Sequence, residues 1–216
     1  MKTLSELFET YLITLVHPFR LHEQFRSRIP FPGHEGHLYT PLTLAEGLGI
    51  SWVFALIRGL FKLVVLNYFL SSFLGLQSEE FPFLQDLLQS SGVSTYYFLL
   101  FSAALDIIFF PIGAIVMTEV WSWVIRTFGR WLNPELPADE MADQITVHAL
   151  SSNVFTIIPF IGDVIQTVLY FFLLYAGLRS NLGASRSLAF VILMTPTLLT
   201  FMHISLCLLA VFYLVG

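Results

Sequence analysis

The sequence predicts an all-α protein: a polytopic bundle of transmembrane helices preceded by short amphipathic helices. Three observations carry this. The 216-residue chain is 56% hydrophobic and only 12% charged, where soluble domains carry about 25% charge. Its mean hydropathy is +0.77. Long apolar runs approach or exceed the roughly 20 residues that a helix needs to cross a bilayer. The implied organisation is a cytosolic segment of amphipathic helices and a loop at 1–47, then one membrane domain at 48–216. The lone cysteine, Cys207, excludes an intramolecular disulfide, a Cys-based metal site and a redox pair, and reads as a small hydrophobe.

At the N-terminus, Leu4, Leu7, Phe8, Tyr11, Leu12 and Leu15 recur at i, i+3, i+4 spacing, with Glu6 and Glu9 elsewhere on the wheel. This predicts an amphipathic helix over 3–16. It does not read as a signal peptide: its apolar core is short, acids precede it, and no small-x-small cleavage site follows. Pro18 interrupts it, because proline cannot continue the hydrogen-bond ladder. A second helix, Phe19–Arg28, sets Arg20, Arg26 and Arg28 beside aromatics. That composition suits either a helix in the headgroup plane or one packed on the protein's cytosolic face. A Pro/Gly loop follows at 30–47.

Five spans are then expected. The first runs from Ser51 to Gly75 and the second from Tyr96 to Arg126, with Pro111 and Gly113 as kink sites. Between them, the loop 77–94 contains Glu79, Glu80 and Asp86 but no Lys or Arg, and its FPFLQDLL string is compatible with a short interfacial helix. A linker at 129–143 leads to a third span, Gln144–Ile158. Short and polar, it needs shelter from neighbouring helices. The fourth is Asp163–Leu178. The fifth is Arg186–Leu214, with Pro196 inside it.

Charge placement orients the spans. With the N-terminus inside, the inner segments hold Lys2, Arg20, Arg26, Arg28, Arg126, Arg130, Arg179 and Arg186, and the outer segments 77–94 and 159–162 hold no Lys or Arg. Merging the third and fourth spans would strand Arg179 and Arg186 outside. The positive-inside rule therefore selects five spans, N-in and C-out. The membrane would be the cytoplasmic membrane of a bacterium, or the ER/Golgi membrane of a eukaryote.

The stretch Gln144–Leu199 has its own pattern. A Pro159-x-x-Gly162 turn ends one apolar run, Gly177-Leu178-Arg179 ends the next, and Gly183, Ser185 and Arg186 lead into the last. In this order and spacing the chain resembles the Yip1-domain family of polytopic membrane proteins, over about residues 50–214. The resemblance implies a five-span, N-in/C-out bundle and a non-enzymatic role in membrane shaping, trafficking or binding of a protein partner. The Asp-Leu-Tyr-Gly-Pro string of eukaryotic members is not present. The nearest string, His37-Leu38-Tyr39-Thr40-Pro41, lacks its Asp and Gly, so no role is carried over from it.

Five charged residues are the site candidates. Asp106 lies about ten residues into the second span, near the bilayer midplane, where a charge is costly. It reads either as a proton or cation site, or as an acid tying spans together through Ser, Thr or Asn partners. Glu119 in the inner half of that span, with Arg58 and Lys62 one turn apart on the first, suggests a structural ion pair. Asp163 opens the fourth span and reads first as a helix N-cap. Asp139, Glu140 and Asp143 after Pro137 read as first-turn acids of a helix. His34-Glu35-Gly36-His37 lacks a third ligand at fixed spacing, so no metal or other cofactor is expected. His148 and His203, inside spans, are expected to bond polar neighbours.

No nucleophile elbow or phosphate-binding loop occurs, and the small membrane-side basic group does not indicate nucleic-acid binding. The expected partners are the bilayer and a second protein or second copy. A small transporter or channel subunit using Asp106 and Glu119 is the rival reading.

Overall fold

In the computed structural model, residues 2–29, 38–77, 95–132, 134–159 and 161–215 are described, and all of their regular structure is helical. Two short helices, α1 (Leu4–Val16) and α2 (Pro18–Ser27), precede two long ones, α3 (Leu44–Gln77) and α4 (Thr95–Leu132). Then come α5 (Ala138–Ala149), a 3₁₀ segment (Leu150–Ile157), α6 (Gly162–Ser180) and α7 (Arg186–Val215). Among the described residues, two stretches are long and apolar enough to cross a membrane, Leu44–Val65 in α3 and Leu100–Leu132 in α4. The expected interfacial helix and the His34–His37 string lie outside the described residues.

Local chemistry explains the boundaries. Thr3 and Glu6 form a reciprocal capping box at the start of α1. Pro18 sits at the first position of α2, where its missing N–H costs nothing. In the 3₁₀ segment, Ser152 Oγ donates to Ala149 O at 2.9 Å and Thr156 Oγ1 to Asn153 O at 2.7 Å. Hydroxyls that bond back to the backbone compete with regular α-helical winding. The third expected span is thus an α-helix that tightens into a 3₁₀ coil, and most of it is buried.

The main core joins the second half of α4 to α5, α6 and the start of α7. Trp121 and Ile125 meet Ile145, Leu174, Leu178 and Ile192 there. Two glycines set how close the arms of the 138–180 hairpin come. A Cβ at Gly177 would lie 2.7 Å from Ile145 Cγ2, and one at Gly162 would collide with the carbonyl oxygen of Phe155. Gly183, in the loop before α7, adopts φ +73° with the Arg26 guanidinium over it.

The hairpin is shorter than the helices it packs on. Its turn, Ile158 and Pro159, lines a cavity with Arg58 and Lys62. From Lys62, α3 continues to Gln77, about 22 Å at 1.5 Å per residue.

The apolar stripe of α1 is split: Tyr11 is buried and Leu7 and Leu15 pack on the core, beside buried Thr10 and Thr14, whereas Leu4, Phe8 and Leu12 are exposed. The surface beneath α1 offers a carbonyl, a serine and a histidine, so its hydroxyl face turns inward.

The glycine contacts yield a paired test. Gly162→Ala should cost about 1–3 kcal/mol, the usual range for overpacking. Gly49→Ala, with nothing within 4 Å of the added Cβ, should be neutral or gain up to about 1 kcal/mol in helix propensity. Melting in detergent ranks the two; equal stabilities would contradict the close approach at Gly162.

Candidate functional site

Four of the five sequence candidates meet at the hairpin tip, in pairings that differ from expectation. Lys62 Nζ lies 2.6 Å from Asp106 Oδ2, joining α3 to α4. Arg58 Nη2 lies 2.9 Å from Asp163 Oδ2, joining α3 to α6. Arg58 and Lys62 are one helical turn apart, so a single face of α3 reaches both neighbours. Around this level Leu60, Val64, Ile108, Phe109 and Ile112 are exposed. The ion pairs therefore sit in an otherwise apolar belt.

Three readings need correction. The partner of Lys62 is Asp106, not Glu119. Gly59 packs on Ile107 in this antiparallel register, and Glu119 lies about 13 residues beyond Asp106, roughly 20 Å along α4. Instead, Glu119 lines a cleft with Thr43, Arg126, Glu140 and Asp143. Asp106, in turn, pairs with a lysine rather than with Ser, Thr or Asn. Asp163 makes no side-chain cap bond; it stands in the first turn of α6, where the helix dipole favours a carboxylate, and pairs with Arg58.

Of the expected first-turn acids of α5, Asp139 and Glu140 lie in its first turn, whereas Asp143 falls a turn later; Asp139 and Asp143 clamp the end of α4. Asp139 is 2.9 Å from Arg130, and Asp143 is 2.7 Å from Arg126. No group of three metal-ligating side chains occurs among the described residues.

A second polar cluster, absent from the sequence reading, lies under the N-terminal helices. Tyr11 Oη and Ser51 Oγ, 3.0 Å apart, both donate to Leu150 O, at 2.7 and 3.2 Å. Leu150 caps α5, where terminal carbonyls need outside donors. His148 bonds polar neighbours, as expected. Leu42 N–H donates to its Nε2 at 3.2 Å, which leaves Nδ1–H to donate to Thr14 Oγ1 at 2.9 Å. Thr14 Oγ1–H donates in turn to Thr10 O at 2.8 Å. These bonds tie α1 to α3 and to the α5/3₁₀ junction. Burial pushes the Tyr11 phenol upward.

His22 of α2 is fully buried against Phe25 and His148, with no hydrogen-bond partner for either ring nitrogen among the described residues. Burial lowers its pKa from 6.5 to about 4.

Comparison of the chain with protein-family models, curated proteins and solved structures finds no match.

Two tests follow from this geometry. In a double-mutant cycle, Lys62→Met and Asp106→Leu should couple by roughly 0.5–3 kcal/mol, and Lys62→Met with Glu119→Gln should be additive. Melting of the three single and two double variants decides, and coupling to Glu119 would contradict the register. The second test concerns His22. The unfolded chain binds the extra proton between pH 6.5 and about 4, so stability falls as pH drops through that window and is flat in this term above it. His22→Leu should melt at or above the parent temperature at pH 7 and lose less on acidification. A marked loss at pH 7 would mean that the ring nitrogens are bonded after all.

Proposed function

We propose that the chain is a non-enzymatic integral membrane protein, N-in and C-out, that organises membrane or holds a protein partner, as the Yip1-like pattern implies. The observation that carries this reading is the pairing at the hairpin tip. Charges in an apolar belt must be compensated, and here each of the four is matched across a helix–helix contact. That use of charge suits a static scaffold better than a carrier, whose carboxylate must cycle between charge states.

The resemblance gains support from the same segment. Pro159 and Gly162 form the turn, Gly177-Leu178-Arg179 closes α6, and Gly183 and Arg186 lead into α7. Three of those positions have a steric or backbone reason to be glycine. The five membrane-embedded segments are α3, α4, the two arms of the 138–180 hairpin, and α7. The hairpin turn then sits level with Arg58 and Lys62, well short of the end of α3. The transporter reading keeps one supporting observation, the cavity of about 210 Å³ beside Arg58, Lys62 and Asp163.

Topology and function are tested together in cells. A reporter active only outside the inner compartment should work when fused after Gly216 and fail at Arg130 or Gly183; the reverse pattern would overturn the orientation. Asp106→Asn should keep the cellular phenotype if the protein is a scaffold, provided the variant is expressed and folded. Loss of phenotype in a well-folded Asp106→Asn protein would promote the transporter reading. A stoichiometric partner should copurify in mild detergent, and a purified chain with neither partner nor self-association would count against the scaffold.

A further inference from the structure

Two separate elements bring arginines to the short loop between α6 and α7. Helix α2 packs along α6, with Phe19 edge-on to Phe172 at 5.8 Å, and its far end reaches the loop. There the Arg26 guanidinium covers Gly183, and a Cβ on that glycine would lie 2.8 Å from Arg26 Nη1. Arg28 ends α2 two residues after Arg26, and Arg186 opens α7 three residues after Gly183. Arg179, partly buried, donates to Ala184 O and fixes the loop between them.

Arg26, Arg28 and Arg186 are exposed, and none of the three side chains forms an ion pair or hydrogen bond among the described residues. By contrast Lys2, Arg126 and Arg130, assigned to the same face, each pair with a carboxylate. Glu23, one turn before Arg26, makes no ion pair with it. Of the acids at the start of α5, Asp139 bonds Arg130 and Glu140 bonds Gln144. Like charges brought together repel, and an external anion offsets that cost. A phosphate suits them, because the guanidinium fork donates two parallel N–H bonds to it.

Apolar surface accompanies the cations. Phe19 and Phe172 are 39% and 43% exposed. Phe19 stands two turns before Arg26 on the same face of α2, about 10 Å away along the helix. Cation first and aromatic surface deeper is the order in which a phospholipid presents its phosphate and acyl chains.

We propose that Arg26, Arg28 and Arg186 bind the phosphate of an anionic phospholipid of the inner leaflet, with its acyl chains against Phe19 and Phe172. This names a lipid class for the membrane-organising reading and rests on its N-in placement.

Detergent-purified full-length protein is titrated with phosphatidylglycerol or phosphatidylcholine, and bound lipids are counted by native mass spectrometry. One phosphatidylglycerol should bind about tenfold more tightly than phosphatidylcholine. Arg26→Gln and Arg186→Gln should each weaken it about fivefold, and about 25-fold together. Arg130→Gln removes the same charge from a paired arginine and should have less than about a twofold effect. Gly183→Asn keeps every charge and tolerates the left-handed backbone. Its side chain takes the place of the Arg26 guanidinium, so it should weaken binding as Arg26→Gln does. The arginine variants, all at exposed positions, should melt close to the parent.

Equal affinity for the two lipids would overturn the site. So would equal losses in Arg26→Gln and Arg130→Gln, which would leave only the diffuse field of the inner face. Displacement of phosphatidylglycerol by millimolar inorganic phosphate at constant ionic strength would assign the arginines to a free anion instead and overturn the lipid. A chain that leaves cell membranes without detergent would overturn the membrane placement itself, and the lipid site with it.

Discussion

Charge in an apolar belt is the constraint around which this molecule is arranged. Four charged side chains stand where the surrounding helix faces are Leu, Val, Ile and Phe, and each has its partner on another helix. Arg58 and Lys62 lie on one face of α3, so that helix is held to α6 through one and to α4 through the other. In the membrane placement proposed above, truncating one member would leave its partner uncompensated in a poorly solvated setting, which is costlier than the pair is stabilising. The tip of the hairpin is therefore pinned at a definite height along α3, and the cavities on either side of Arg58 follow from that height.

Backbone polarity imposes the second constraint. Ser152 and Thr156 return their hydroxyls to the main chain, and the winding changes at Leu150. Tyr11 and Ser51 then converge on the Leu150 carbonyl. The result divides α1: it buries the hydroxyls of Thr10, Tyr11 and Thr14 beside core-packed Leu7 and Leu15, and leaves Leu4, Phe8 and Leu12 outward.

Much of the helix plan was legible because hydrophobic runs and prolines are local signals. Predicted helices at 3–16, 96–126, 163–178 and 186–214 correspond closely to α1, α4, α6 and α7. The helix α3 starts earlier than the Ser51 expected for it, because Thr43 and Glu46 cap it reciprocally. Candidate charges were legible too, since Asp, Glu, Lys and Arg within apolar runs are few. Their pairing was not legible, because it depends on the antiparallel register of α3 on α4, which no single segment encodes. Tyr11 and Tyr170 escaped for a related reason. A tyrosine in an apolar run reads as bulk, and only the packing reveals whether its hydroxyl is bonded, as in Tyr11, or left without a partner, as in Tyr170.

The hairpin turn ends inside the apolar belt, beside Arg58 and Lys62. Ile161, exposed at that turn, reports on it directly. In a Cys207→Ala background, a nitroxide at Ile161 of the bilayer-reconstituted protein is compared for collisions with oxygen and with a water-soluble nickel chelate. The account predicts ready access to oxygen and little to nickel, similar to a label at exposed Phe109. Strong nickel access at Ile161, with Phe109 still shielded, would place the turn in water on the far side and contradict it.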